Sequence, residues 1–148
     1  KVVVGRAALE NPGLIGALAL KWGTQAVVAA CDVAAGRVIC ASGGMGSDFS
    51  PVEWCREAER LGAGEIFLQS RERDGSLGGF PLAELGEIAS AVGIPVTVGT
   101  GCGGWRDMRA AFEAGASGAV TSVVHHWSEA AVSGFKARLR EAGVAVRA

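Results

Sequence analysis

Short apolar runs alternate with helix-like segments along the whole chain. The runs are continuously apolar rather than alternating with polar residues, which indicates strands covered on both faces, as in a parallel sheet between helices. Helical segments fill the gaps, so the pattern predicts an α/β fold of about five βα units forming one domain, residues 1–148. The predicted strands are Val2–Val4, Ala26–Cys31, Glu65–Gln69, Pro95–Val98 and Ser117–Ser122.

Helix boundaries are marked by capping residues. Asn11 followed by Pro12 predicts a helix start, and Gly23 predicts its end. Ser50-Pro51-Val52-Glu53 has the form of a capping box. Two architectures fit five such units: an open five-stranded sheet, or part of a (βα)8 barrel, since a complete barrel takes about 250 residues. Further helices are predicted over 81–92, 105–114 and 128–142.

Composition excludes several classes of partner. The chain has 148 residues, 14 basic and 15 acidic, so no strong field attracts nucleic acid or an anionic membrane. No apolar stretch reaches 18 residues, and no signal-peptide pattern is present. The four cysteines lack a C-x-x-C pair and zinc-like spacing to the histidines, so we expect no metal, reduced thiols and a cytoplasmic location.

A glycine-rich segment, Gly99-Thr100-Gly101-Cys102-Gly103-Gly104, lies between a predicted strand and a predicted helix. Bare backbone N–H groups at such a place bind phosphate. The spacing also matches the G-x-G-x-x-G dinucleotide motif, but the ribose-binding acid expected about 20 residues later is missing, so no cofactor is expected. A third interpretation is that the glycines only permit close packing of strand and helix.

Two carboxylates follow predicted strands. Asp32 comes directly after an apolar run, and Asp74 lies in the charged loop after Gln69. Ligands of parallel sheets bind outside the carboxyl ends of the strands, where both residues are expected. A carboxylate at the end of a buried strand is costly unless it has a role, although capping of the next loop would also explain Asp32.

Several longer sequence segments resemble those of a known protein family. Glu10-Asn11-Pro12, Gly23–Ala29, Asp32, Gly62–Ile66 and Arg73-Asp74-Gly75 resemble, in order and spacing, the carboxyl-terminal part of the cyclase subunit of imidazole glycerol phosphate synthase. The resemblance covers essentially the whole chain. It implies a partial (βα)8 TIM barrel, strands four to eight of the cyclase, from a family that makes imidazole glycerol phosphate from ammonia and a phosphoribulosyl-formimino carboxamide ribotide in histidine biosynthesis.

The resemblance also assigns expected roles. Asp32 matches the catalytic Asp of the fifth strand, a general acid/base. Asp74 and Gly75 match a loop that positions substrate and its phosphate. Lys1 and Glu65 match charged residues at the opposite mouth, where the family's ammonia entrance is gated, although a simple salt bridge would also explain them. The expected binding residues for the other phosphate are Gly99, Thr100, Gly101, Gly103, Ser122 and Val123.

The chain departs from the family in its loops. Gln69 replaces a threonine, Glu72 an aspartate, and Gly-Thr-Gly-Cys-Gly stands for Ser-Gly-Gly-Ala-Gly. Lys1 would begin inside the fourth strand, which places the family's second catalytic Asp outside this sequence. We therefore expect a half-barrel that binds a phosphorylated ribotide or phosphate and pairs its open sheet edges as a homodimer or higher oligomer.

Three functional hypotheses remain open from the sequence. The first is an ammonia-dependent cyclase with a possible glutaminase subunit as partner. The second is a non-catalytic phosphate-binding half-barrel that dimerises. The third is a structural or interaction unit in which the glycine loop only packs.

Overall fold

The computed structural model describes residues 1–40, 47–127 and 131–147. In these ranges six strands form one sheet. The strands are β1 (Val2–Val4), β2 (Val27–Ala34), β3 (Arg37–Val38), β4 (Glu65–Ser70), β5 (Val96–Gly99) and β6 (Gly118–Ala119).

The four parallel pairings follow the order of the strands along the chain. The sheet order is β1-β2-β4-β5-β6, and all of these neighbours pair in parallel, as predicted. The remaining strand, β3, pairs antiparallel with the end of β2 and was not predicted from the sequence. The turn between them, Ala35-Gly36, has positive φ at both residues, 48° and 73°. Two such residues suit a tight hairpin, but alanine rarely marks one.

Helices connect the parallel strands. They are α1 (Arg6–Glu10), α2 (Gly13–Trp22), α3 (Pro51–Arg60), α4 (Leu82–Ala91), α5 (Trp105–Glu113), α6 (Val123–Trp127) and α7 (Val132–Glu141). The capping box is confirmed: the Ser50 hydroxyl accepts from the Glu53 N–H, and the Glu53 carboxylate accepts from the Ser50 N–H. Gly23 ends α2 as predicted, but Asn11 makes no side-chain cap, because α2 begins after Pro12.

The hydrophobic core lies between the sheet and these helices. Trp54 of α3 is fully buried, and its indole N–H donates to the Ala30 carbonyl at 2.9 Å. Ile15, Leu85 and Ile88 contribute from α2 and α4, and Phe135 from α7. Alternate residues of each strand point into this core, so the residues between them point to the opposite face of the sheet.

That other face is more open than predicted. In β4, Ile66, Leu68 and Ser70 are buried, whereas Glu65, Phe67 and Gln69 are only half-buried. Such alternation indicates a strand covered on one face. The first five residues of β2 are all buried, as the prediction of cover on both faces requires, whereas β4 is buried along one face only.

Two further boundaries differ from the predictions. The last predicted strand shortens to β6, and Val123, expected to bind phosphate directly after that strand, is the first residue of α6. The final helix ends at Glu141 before Gly143, close to the predicted end. Its predicted start over 128–130 lies outside the described residues.

Candidate functional site

Polar groups meet where the parallel strands end. Asp32, Gln69 and Gly99 are paired in register across β2, β4 and β5, so they form one row on the open face. Asp32 was predicted to follow its strand, but β2 continues to Ala34, because its last residues pair with β3 and β4. The carboxylate therefore projects from the sheet itself and not from a loop.

Two adjoining cavities lie along this row. The first, about 140 Å³, contains seven of the nine predicted site residues, and the second, about 170 Å³, contains Asp32. Gln69, Asp74 and Thr100 line both and form the wall between them. The predicted residues in the first cavity are Asp74, Gly75, Gly99, Thr100, Gly101, Ser122 and Val123.

Asp32 is half-buried, and its carboxylate accepts no hydrogen bond within the described residues, whereas its backbone carbonyl accepts from the Ile39 N–H at 2.8 Å. Burial raises the pKa of the Asp32 carboxyl above its ordinary value, and the nearby positive charge of Arg71 partly opposes this. A carboxyl group with a raised pKa is better suited to exchange a proton near neutrality than an exposed one. Arg71 and Ile39 complete its side of the second cavity.

The glycine loop is held by the loop that follows β4. The Gly79 N–H donates to the Gly101 carbonyl at 2.8 Å. A Cβ on Gly101 would overlap the carbonyl oxygen of Gly79, and a Cβ on Gly103 would overlap that of Leu77. Gly101 also has φ of 91°, a conformation that favours glycine. The glycines therefore allow two loops to touch, and not a strand to touch a helix.

Gly103 is placed differently from the other predicted phosphate-binding residues. It lines neither cavity, and its N–H donates to Oδ2 of Asp107 at 2.8 Å. Asp107 lies in the first turn of α5, so the start of that helix already faces a carboxylate. The space open to an anion is on the other side of the loop, between Gly99–Cys102 and residues 120–123.

Several lining residues were not among the predicted site residues, and Gln69 and Thr121 are two of them. Gln69 was noted only as a departure from the family, yet its side chain faces both cavities. Thr121 lines the first cavity beside Cys102, whose thiol pKa is raised by burial. The register of β4 against β2 is the signal that could have found Gln69, because it follows Asp32 across the sheet.

Charged residues also meet at the opposite end of the sheet. Lys1 Nζ lies 2.6 Å from Oε2 of Glu65, whose Oε1 accepts from the Thr97 hydroxyl at 2.8 Å. Burial would raise the pKa of Glu65, but the bonds from Lys1 and Thr97 outweigh it and lower the pKa. The salt bridge that was the alternative interpretation of these two residues is therefore present.

Two features are absent from the described part of the chain. There, no three His, Cys, Asp or Glu side chains are grouped to hold a metal ion. None of the helices in the described ranges has the length and hydropathy needed to span a bilayer.

The fold and the two cavities define a parallel βα-repeat protein, consistent with a partial TIM barrel, with a candidate small-molecule site at the carboxyl ends of its strands. The chain belongs to the histidine biosynthesis protein family, whose model matches residues 1–130.

Curated relatives narrow the position within this family. Imidazole glycerol phosphate synthase subunits HisF from Hyphomonas neptunium and Myxococcus xanthus are each 38% identical over 99% of this chain and 60% of their own length. The HisF subunit of Thermobifida fusca is 36% identical over 99% of the chain and 61% of its length. The chain thus spans about three-fifths of these relatives.

Proposed function

We propose that the chain carries the acid/base and phosphate-binding side of an imidazole glycerol phosphate synthase cyclase site, corresponding to strands four to eight of that barrel. The observation that carries the proposal is the convergence of Asp32 and the glycine loop on two cavities with a common wall. The relatives named as imidazole glycerol phosphate synthase subunits support the choice of reaction.

In this proposal the first cavity takes the phosphate of a phosphorylated ribotide. Backbone N–H groups around Thr100 and Gly101, with the Ser122 hydroxyl and the backbone of Val123, act as donors to the phosphate. Asp74 and Gly75 close the cavity from the β4 loop. This arrangement places the rest of the ribotide toward Gln69 and the second cavity.

Asp32 is then the general acid/base for ring closure. It is half-buried and its pKa is raised, which supports proton transfer to and from a substrate nitrogen. Closure of the imidazole ring with ammonia needs proton transfers at more than one position. The proposal therefore includes a second carboxylate from outside the described residues, supplied by another segment or another copy.

Turnover of the formimino carboxamide ribotide with ammonium chloride tests this function, with release of the aminoimidazole carboxamide ribotide as the readout. Turnover that is lost in Asp32→Asn, and kept in the surface variant Glu113→Gln, supports it. Absence of turnover in a folded sample that still binds phosphate favours the second candidate, a non-catalytic phosphate-binding half-barrel. Absence of both contradicts the two candidates.

Self-association belongs to the same proposal. Within the described residues β1 pairs only with β2, and β6 pairs only with β5, so both edges of the sheet are open. Val3 at the β1 edge is 55% exposed, and Val120 after β6 is 47% exposed. Open apolar edges pair readily with other chains, so we expect a homodimer or larger oligomer by sedimentation. A monomer at micromolar concentration would contradict this expectation.

A glutaminase partner is part of the cyclase proposal by family resemblance. The Lys1–Glu65 pair lies at the end of the sheet away from the cavities, where ammonia would enter. If a glutaminase docks there, glutamine-dependent turnover will appear when that subunit is added.

A further inference from the structure

A chain of hydrogen bonds crosses three strand ends beside the cavities. Thr100 Oγ1 donates to the Gly99 carbonyl at 2.6 Å and accepts from the Ser70 N–H at 2.8 Å. The Ser70 hydroxyl donates to Oε2 of Glu72 at 3.2 Å, and Oε1 accepts from the Ala35 N–H at 2.7 Å. The chain thus runs from the glycine loop, through β4, to the turn after β2.

Two features set this chain apart from ordinary surface bonds. Ser70 is 5% exposed and is the one buried polar side chain among the described residues. Ala35 and Thr100, at the two ends, have φ of 48° and 70°, and with Leu77 they are the non-glycine residues of the described ranges in the left-handed region. The left-handed conformation costs a β-branched residue such as Thr100 about 1 to 3 kcal/mol, so it persists only where the surrounding structure holds the residue in place.

The hydroxyl of Thr100 is what a glycine at this position would lack. Glycine would remove the backbone strain but would leave the Ser70 N–H without its side-chain acceptor. Toward β2, Glu72 joins the Ser70 hydroxyl to the Ala35 N–H, in the turn that follows the strand of Asp32. The chain therefore links the strand of the proposed acid/base to the proposed phosphate loop through β4, the strand that lies between them.

We propose that Thr100 and Glu72 are positioning residues that hold Asp32 and the glycine loop at a fixed separation, so that the two cavities receive one ligand. This inference rests on the proposed function for the identity of that ligand, a phosphate ester. Neither residue takes a proton or contacts the reacting atoms. Each acts by keeping a strand end in place.

The test is a titration with inorganic phosphate, followed by backbone amide shifts in NMR. Thr100→Val removes the hydroxyl at nearly constant volume, and with it the bonds to the Ser70 N–H and the Gly99 carbonyl. We expect phosphate affinity to fall about five- to tenfold, the effect of losing the connection to Ser70. Thr100→Ser restores the hydroxyl, so its affinity should lie within about twofold of the original chain.

Thr97→Val is the matched control. Thr97 lies in β5, the strand that Thr100 directly follows, and its variant loses a bond as long as the Ser70–Thr100 bond, but to Glu65 at the opposite end of the sheet. We expect a similar loss of thermal stability with unchanged phosphate affinity. Thr100→Gly serves if the valine variant folds poorly, since it relieves strain and still lacks the hydroxyl. A purely structural Thr100 predicts unchanged or tighter binding for Thr100→Gly.

Glu72→Ala, combined with Thr100→Val, tests whether the two residues act as a unit. If they hold the same elements, the double variant will bind phosphate little more weakly than the weaker single variant, because the effects are not additive. Additive losses, or a Thr97→Val variant that weakens binding as much as Thr100→Val, would overturn the proposal.

The carboxyl titration of Asp32, followed by carbon-13 NMR, separates this inference from the proposed function. If the original chain binds no phosphate, yet Thr100→Val alone lowers the Asp32 pKa toward its ordinary value by letting in water, positioning stands and the phosphate function fails. If phosphate binds and Thr100→Val changes neither affinity nor the Asp32 titration, the function stands and the positioning role fails.

Discussion

Substitution of Gly101 by alanine should destabilise the fold through a contact between two loops. A Cβ at this position would overlap the Gly79 carbonyl and lie 3.0 Å from Cβ of Arg73. The φ of 91° adds the cost of the left-handed region, about 1 to 2 kcal/mol. Overpacking against backbone adds about 1 to 3 kcal/mol, so we expect the free energy of unfolding to fall by about 2 to 5 kcal/mol.

Substitutions at two other glycines separate the cost of the positive φ from the cost of the steric overlap. Gly75 has φ of 72° but open space around a Cβ, so Gly75→Ala should cost only about 1 to 2 kcal/mol. Gly104 has extended backbone and open space, so Gly104→Ser should change stability by less than about 0.5 kcal/mol. Urea unfolding followed by tryptophan fluorescence measures all three. A Gly101→Ala variant no less stable than Gly75→Ala would refute the loop contact.

Three further predictions concern charge and capping. Because burial raises the Asp32 pKa, Asp32→Asn should increase the free energy of unfolding at pH 7. This gain should vanish below the ordinary pKa of 3.8, where the carboxyl is neutral in both the folded and the unfolded chain. Equal stability of the two proteins at pH 7 would contradict this. Because the Glu65 pKa is lowered, the stability that Glu65 contributes is present above 4.5 and is lost as the pH falls further. Glu65→Gln should therefore flatten the acid limb of unfolding measured by circular dichroism, and an unchanged acid limb would contradict this. Ser50→Ala should cost about 1 kcal/mol in urea unfolding by removing the cap of α3, and a loss below about 0.3 kcal/mol would contradict the capping box.

The βα order could be predicted because it depends on local signals. Apolar runs, Gly23 and the Ser50–Glu53 box each act within a few residues of their own position, and the structure confirms the elements they predict. The β2–β3 hairpin could not be predicted in the same way. Its turn residue Ala35 is held by Glu72, 37 residues away, and no local pattern reports such a bond.

For the candidate site, too, one part could be predicted from the sequence and another depends on long-range contacts. Strand ends brought Asp32, Asp74 and the glycine loop together as expected, because parallel strands end at one edge of a sheet. The orientation of the loop depended on longer-range contacts: Asp107 takes the Gly103 N–H, and residues 77–79 fix Gly101. The side of the loop that is open to an anion could therefore be read only from the structure.

The order of the parallel strands has a consequence for how the chain acquires its structure. Each parallel strand pairs with the parallel strand that precedes it along the chain, and the first and last strands of the described ranges do not pair with each other. The parallel pairings of the described ranges therefore join residues between 21 and 37 positions apart. Contacts at such separations form faster than pairings between the two ends of a chain. Assembly can begin at any βα unit and extend from there, so a destabilising substitution in an end unit should fray that unit first and leave the central strands protected from amide exchange.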